Sequence, residues 1–278
     1  MMNFRRFLLP LLFAVACTPA EQPTTEMLVV EGWIESGAAP VVMVSKSMAP
    51  TAEKQSFSSL SDHIEKWARV AISDGEKEVV LTGKPSKEYF PPYIYTTGRM
   101  FGKAGKTYTI TVDTDKYHCV ASTVIPEPVP LESAEPVPYA DHEGEWLIKV
   151  KWNDDPLERN VYKVFTRIEG VDSLYAAARL NLVDDELISD GKAELLVTPS
   201  LNVYRKLGAE PFLSGQTVSV KFCTLDPQHA DIMKSLDESI TQSGLPIFVS
   251  NKNIPGNVSG ALGYFIGFGR SLYTVEIP

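Results

Sequence analysis

The sequence predicts an all-β protein of two β-sandwich domains, the first immunoglobulin-like and the second covered by one α-helix near residues 226–242. Three observations lead there. Short β-branched runs recur at roughly 10–20-residue intervals with turn residues between them, the pattern of a sandwich rather than of βαβ units. Residues 126–138 hold five prolines, Pro126, Pro128, Pro130, Pro136 and Pro138, which argues against a sheet interior and for an extended linker between domains. One segment alone has a helical period. Ile232, Leu236 and Ile240 recur at spacing four behind Asp226-Pro227, an N-cap followed by proline at the first helical position.

In chain order, Met27–Ile34 reads as the first strand, with Leu28-Val29-Val30 at its start and Trp33 near its end. Val41-Val42-Met43-Val44-Ser45 follows the turn Gly37-Ala38-Ala39-Pro40, and residues 49–62 are polar and Ser-rich, an exposed loop. Val70 and Ile72 alternate with Arg69 and Ala71 before Asp74-Gly75 turns the chain into Val79-Val80-Leu81, a hairpin. Tyr108–Val112 and Val120–Ile125 complete a first domain over residues 27–125. The second domain spans 139–278. Its strands are expected at 146–152, 161–168, 174–182, 193–197 and 216–224, the last with Val218, Val220 and Phe222 on one face. After the helix, glycines at 256, 260, 263, 267 and 269 thread through apolar residues, which reads as short strands broken at turns and bulges. Leu272–Ile277 is expected as a separate closing strand.

The N-terminus carries a different kind of information. Arg5 and Arg6 precede the apolar run Phe7–Val15, then Ala16-Cys17. A basic start, a short apolar run and a small residue before the break make residues 1–16 a secretory signal peptide. The run is shorter than the ~20 residues a bilayer span needs. A cysteine where the run ends, with Ala14 where such boxes usually carry leucine, reads as a lipobox with Cys17 as the acylated first residue of the mature chain. Residues 17–26 then form a polar tether. Several acyl chains at ~0.8 kcal/mol per buried CH₂ anchor a protein stably.

The remaining 262 residues can bury a core without staples. A net charge of −9 and a pI near 5.1, without clustered Lys and Arg, exclude a nucleic-acid partner. Cys119 and Cys223 sit on expected strands of different domains. Buried thiols fit them better than a bridge, although an exported chain permits one.

Candidate chemistry is sparse. There is no Gly-x-Ser-x-Gly elbow or phosphate loop, and His63, His118, His142 and His229 lack metal-ligand spacing. No catalytic residue, metal or cofactor is expected. Asp113-Thr114-Asp115 and Asp184-Asp185-Glu186 offer oxygen ligands of the kind Ca²⁺ takes, but such clusters are more often solvated turns. The best binding candidate is Tyr89, Phe90, Tyr93 and Tyr95 around Pro91-Pro92, because aromatics on a proline-stiffened loop present flat apolar faces at low entropic cost. The simpler reading is that Tyr93 and Tyr95 pack a strand.

Five blocks carry a family resemblance: Val30-Glu31-Gly32-Trp33-Ile34, Gly105-Lys106-Thr107-Tyr108, Ile125-Pro126, the run 185–192 from Asp185 to Lys192, and the Gly-rich run 254–265 from Ile254 to Phe265. Together they resemble the Bacteroidota outer-membrane lipoproteins catalogued as domain of unknown function 4249. The chain departs from that pattern by interrupting the Gly-rich block with Asn257-Val258-Ser259. The resemblance implies a lipoprotein on either face of the outer membrane, often beside a TonB-dependent transporter, and supplies no catalytic residues. The expected function is a non-catalytic binding or accessory module attached to the membrane through Cys17. A fimbria-like or adhesin subunit and a glycan-active hydrolase are the alternatives.

Overall fold

The computed structural model describes residues 26–47, 61–140, 142–188, 190–199, 211–243 and 255–278. The expected signal peptide (1–16), Cys17, most of the expected 49–62 loop and Ile247–Val249 lie outside these residues. The described chain is all-β with one α-helix.

The first lobe is an immunoglobulin-like sandwich. One layer runs β1 (Leu28–Glu35), β2 (Val41–Lys46), β6 (Tyr93–Thr96), β5 (Thr82–Pro85). The other runs β4 (Glu78–Val80), β3 (Arg69–Ser73), β7 (Thr107–Asp113), β8 (His118–Val124). In immunoglobulin lettering these are A-B-E-D facing C′-C-F-G. Period-two alternation builds the core between them. β7 turns Tyr108, Ile110 and Val112 inward, β1 turns Leu28, Val30 and Ile34 inward, and β2 adds Val42 and Val44.

The second lobe packs the sheet of β9 (Leu131–Pro138), β10 (Glu145–Asn153), β13 (Lys192–Val197) and β14 (Phe212–Leu213) against β11 (Val161–Ile168), β12 (Ala176–Asp184) and β15 (Thr217–Leu225). Its centre is aromatic. Trp152 lies 5.0 Å from Phe222 and 5.3 Å from Tyr162 by ring centroids, and Tyr162 stacks on Phe222 at 11°.

The 126–138 segment corrects the linker expectation. Its second half is β9, hydrogen-bonded along β10 with Pro136 opposite Ile148 and Pro138 opposite Trp146. β9 has a strand on one side only, where a missing proline N–H costs no ladder bond.

The closing segment corrects a second expectation. Residues 262–276 form a single 15-residue strand, β16. Leu262–Phe268 pair in parallel with Val29–Glu35 of β1, and Gly269–Glu276 pair antiparallel with Thr224–Thr217 of β15. β16 thereby joins the two lobes into one eight-stranded sheet, ordered β12-β11-β15-β16-β1-β2-β6-β5. It also supplies Phe265 to the first core, so the lobe expected from residues 27–125 is completed from the far end of the chain.

The glycines of β16 mark backbone approach rather than turns. A Cβ on Gly267 would stand 2.2 Å from the Val124 carbonyl oxygen, and one on Gly269 2.3 Å from that of Pro126. Where β15 ends, side chains take over as partners of β16. The Asn257 amide accepts from the Phe265 N–H and donates to its carbonyl, both at 2.8 Å, and Thr123 Oγ1 accepts from the Gly267 N–H at 2.8 Å. The Asn257 interruption is thus what satisfies this edge.

The helix follows the expected cap with one adjustment. Asp226 accepts from the Gln228 N–H at 3.0 Å, Pro227–His229 make a 3₁₀ turn, and α1 runs Ala230–Ser243. Ile232, Met233 and Leu236 bury against Val161, Cys223, Leu225, Ile266 and Phe268. α1 therefore covers the outer face of the long sheet. The Ile240 side chain lies outside the described residues.

Candidate functional site

The outer face of the long sheet carries the chemistry. Strand alternation sends Leu28, Val30 and Ile34 of β1 into a core and turns Glu31, Trp33 and Glu35 the other way. β15 does the same with Lys221 and Cys223, β11 with Lys163 and Phe165, and β16 with Tyr264, Phe268 and Arg270. These strands are covered on both faces, so each outward charge is withdrawn from water. Such a charge must be paired.

Most are paired. The Lys221 ammonium hydrogen-bonds Glu35 Oε1, and Arg270 Nη1 lies 3.1 Å from Glu35 Oε2. Arg270 is fixed further by donating to the carbonyls of Ser36 at 2.7 Å and Gly37 at 3.0 Å. Lys163 Nζ reaches both oxygens of Asp237 on α1, at 2.8 and 2.6 Å, and so ties the helix to the sheet. Burial lowers the Lys163 pKa, and the Asp237 carboxylate opposes that shift. Aromatic rings fill the gaps. Lys221 Nζ sits 4.6 Å from the Phe165 ring centre and 5.0 Å from that of Tyr175, within cation–π range.

Glu31 is the exception. It is 5 % exposed, and its Oε2 has no hydrogen-bond partner. Burial pushes its carboxyl up to about 7. Tyr264 stands opposite it in the β1–β16 register, and burial, then the Glu31 charge, raises that phenol. His229 is a second orphan, with its Nδ1 unpartnered, its Nε2 3.3 Å from Asn257 Nδ2, and its pKa lowered by burial.

The Cys223 thiol is pushed up to about 12 by burial, so it stays protonated and is a poor nucleophile. Glu31 and Glu35 are four residues apart along one strand, about 13 Å at the strand rise, beyond the ~5–9.5 Å that glycoside hydrolysis asks of its two carboxyls.

The structure divides the aromatic candidates of the sequence. Tyr95 is core, with its hydroxyl donating to the Glu65 carbonyl at 2.8 Å and accepting from the Ala68 N–H at 3.2 Å. Tyr93 packs beside it edge-on at 5.6 Å. Tyr89 goes to the outer face, 6.0 Å from Trp33, and Phe90 is half-buried next to it. Both cysteines are buried and free, Cys119 in the first core and Cys223 under α1.

The acidic clusters have protein partners. Asp113 pairs with His118 at 2.6 Å and Arg69 at 3.5 Å, while Arg159 joins Asp184 at 3.2 Å and Glu186 at 2.9 Å. Among the described residues no group of three or more His, Cys, Asp or Glu is placed to hold a metal, and no helix is long and apolar enough to cross a membrane.

Sequence reasoning passed over Glu31, Glu35, Lys163 and Lys221. The available signal was a charged residue at one or two alternate positions inside an otherwise apolar strand, which marks a sheet buried on both faces. A comparison with curated proteins finds no match. A family model covers residues 17–273, and on that match the chain belongs to the family described as Domain of unknown function (DUF4249).

Proposed function

We propose that the protein is a lipid-anchored, non-catalytic module of the outer membrane that binds and assists a partner, a TonB-dependent transporter. The observation that carries this reading is how soon the fold begins after Cys17. Glu26 follows Cys17 by nine positions, and its carbonyl already accepts from the Tyr117 hydroxyl at 2.6 Å. Met27 then exchanges bonds with Ser47, donating to Oγ at 2.9 Å and accepting from the N–H at 2.7 Å. Nine residues reach at most about 30 Å, so acylated Cys17 holds the first lobe close to the membrane. The family resemblance described above implies the envelope setting. Tyr89 and Phe90, with Trp33 behind them, are the aromatic surface assigned to the partner.

Cross-linking in intact cells followed by pull-down of the tagged protein is the test. Recovery of one outer-membrane transporter is expected. Recovery of the protein alone would favour a fimbria-like subunit, and recovery of neither a free-standing binder or glycan hydrolase. Separately, Cys17→Ala is expected to move the protein out of the membrane fraction and to end labelling by palmitate analogues. Retention of both would refute the anchor.

A further inference from the structure

We infer that the end of the first lobe from which the chain runs back to Cys17 is a bilayer-contact surface, with the Trp67 indole as the group that enters the lipid headgroup region. The inference rests on the lipid-anchor reading above and adds which face meets the membrane.

Five parts of the fold converge at this end. β1 begins there, and Leu28 lies opposite Lys46 at the end of β2. The segment 63–65 runs beside that same end, with the Lys46 N–H donating to the His63 carbonyl at 2.8 Å and the Glu65 N–H to the Val44 carbonyl at 2.9 Å. β3 also begins there, Arg69 opposite Asp113 at the end of β7, and the β7–β8 turn brings Tyr117 onto Glu26. Trp67 therefore stands at the membrane-proximal end of the lobe, two residues before β3.

Its exposure is 92 %, the highest of the large apolar side chains described. The backbone around it is nonetheless fixed. Its own N–H donates to Glu65 Oε1 at 3.0 Å, and the core hydroxyl of Tyr95 holds Ala68 on one side and Glu65 on the other. An indole held out by the core itself loses little conformational freedom on contact. Met27, 39 % exposed, adds apolar surface at the same end.

The charges here explain why the occupant is a lipid interface. Lys46 pairs with Glu26, and Arg69 with Glu78 and Asp113. The exposed Lys66 and Lys116 are offset by Asp62, Glu65 and Asp115. Among the described residues no basic footprint for an anionic surface results, so the contact relies on tryptophan, which favours the zone where one end of the ring is apolar and the other wet. The tether supplies the rest, because its reach of about 30 Å keeps this end near the acyl chains at an effective concentration that makes a weak contact sufficient.

The test uses the acylated full chain in vesicles of phosphatidylethanolamine and phosphatidylglycerol, with and without bromine on the acyl chains. Bromolipid is expected to quench the Trp67 share of the emission, roughly a quarter if the four tryptophans emit equally, and Trp67→Phe is expected to remove that loss while the protein still floats with the vesicles. Equal quenching of both proteins, or none in an acylated wild type that floats, would overturn the contact and leave the anchor standing. A mature N-terminus without acyl chains, read by mass spectrometry, would overturn both. A photoreactive residue at position 67 that couples to protein and not to lipid in cells would replace the bilayer with a protein partner.

Discussion

Replacing Glu31 with glutamine should make the protein more stable at pH 8 and leave it unchanged at pH 4. Glu31 is buried beside Tyr264, and its carboxyl titrates near 7 instead of at the ordinary 4.5. Below 4.5 both folded and unfolded chains hold the proton, and the group contributes nothing. Between 4.5 and 7 the unfolded chain releases the proton while the folded chain keeps it, so stability falls as pH rises. Above 7 both have released it, and the folded state carries the full cost of a buried, unpartnered charge, about 3 kcal/mol at 1.36 kcal/mol per tenfold difference in proton affinity. Glu31→Gln keeps the shape and removes the charge. Urea unfolding at pH 4, 6 and 8 should show the two proteins converging at pH 4 and the variant ahead by up to about 3 kcal/mol at pH 8, with equal m-values. His229, whose lowered pKa acts in the acid range, is common to both proteins and cancels. Parallel pH profiles, or a variant weaker than wild type at pH 8, would refute the reasoning.

Two further predictions concern β16. Gly267→Ala would drive a Cβ against the Val124 carbonyl oxygen, with the Val124 carbonyl carbon at 2.8 Å and the Ile125 nitrogen at 3.0 Å, all backbone and unable to rotate away. A loss on the order of 3 kcal/mol is expected, seen as a Tm lowered by roughly 6–12 °C; an unchanged melting curve would mean the strand can shift off the crossing. Asn257→Ala would strip the Phe265 N–H and carbonyl of their partners, at a cost of about 2 kcal/mol, and hydrogen exchange at the Phe265 amide should accelerate by about 30-fold. Protection unchanged at that amide would show that another group satisfies it.

Individual residues show how much of this was legible. Val218, Val220 and Phe222 announced both the strand and its buried face, since period two needs only local information. Asp226-Pro227 announced the helix start for the same reason. Gly263, Gly267 and Gly269 misled, because a glycine needed where two backbones cross looks in sequence like one needed for a turn. The prolines of 126–138 misled likewise, since the sequence does not say that β10 would accept an edge strand with gaps in its N–H row. The outer-face charges needed tertiary information of another kind. Glu35 meets Lys221 across 186 positions and Arg270 across 235, and local pattern does not pair groups so far apart.

The sharing of β16 also sets an order in time. Val29 pairs with Leu262, so the inner strand of the first lobe waits for a partner made 233 positions later. Until it arrives, β1 shows an open edge and the first core lacks Phe265. The early part of the chain cannot close on itself while the rest is being synthesised. Closure over so long a separation is slow. Because β1 is made early and its parallel partner near the end, the molecule becomes fully compact only once β16 is available to dock along β1.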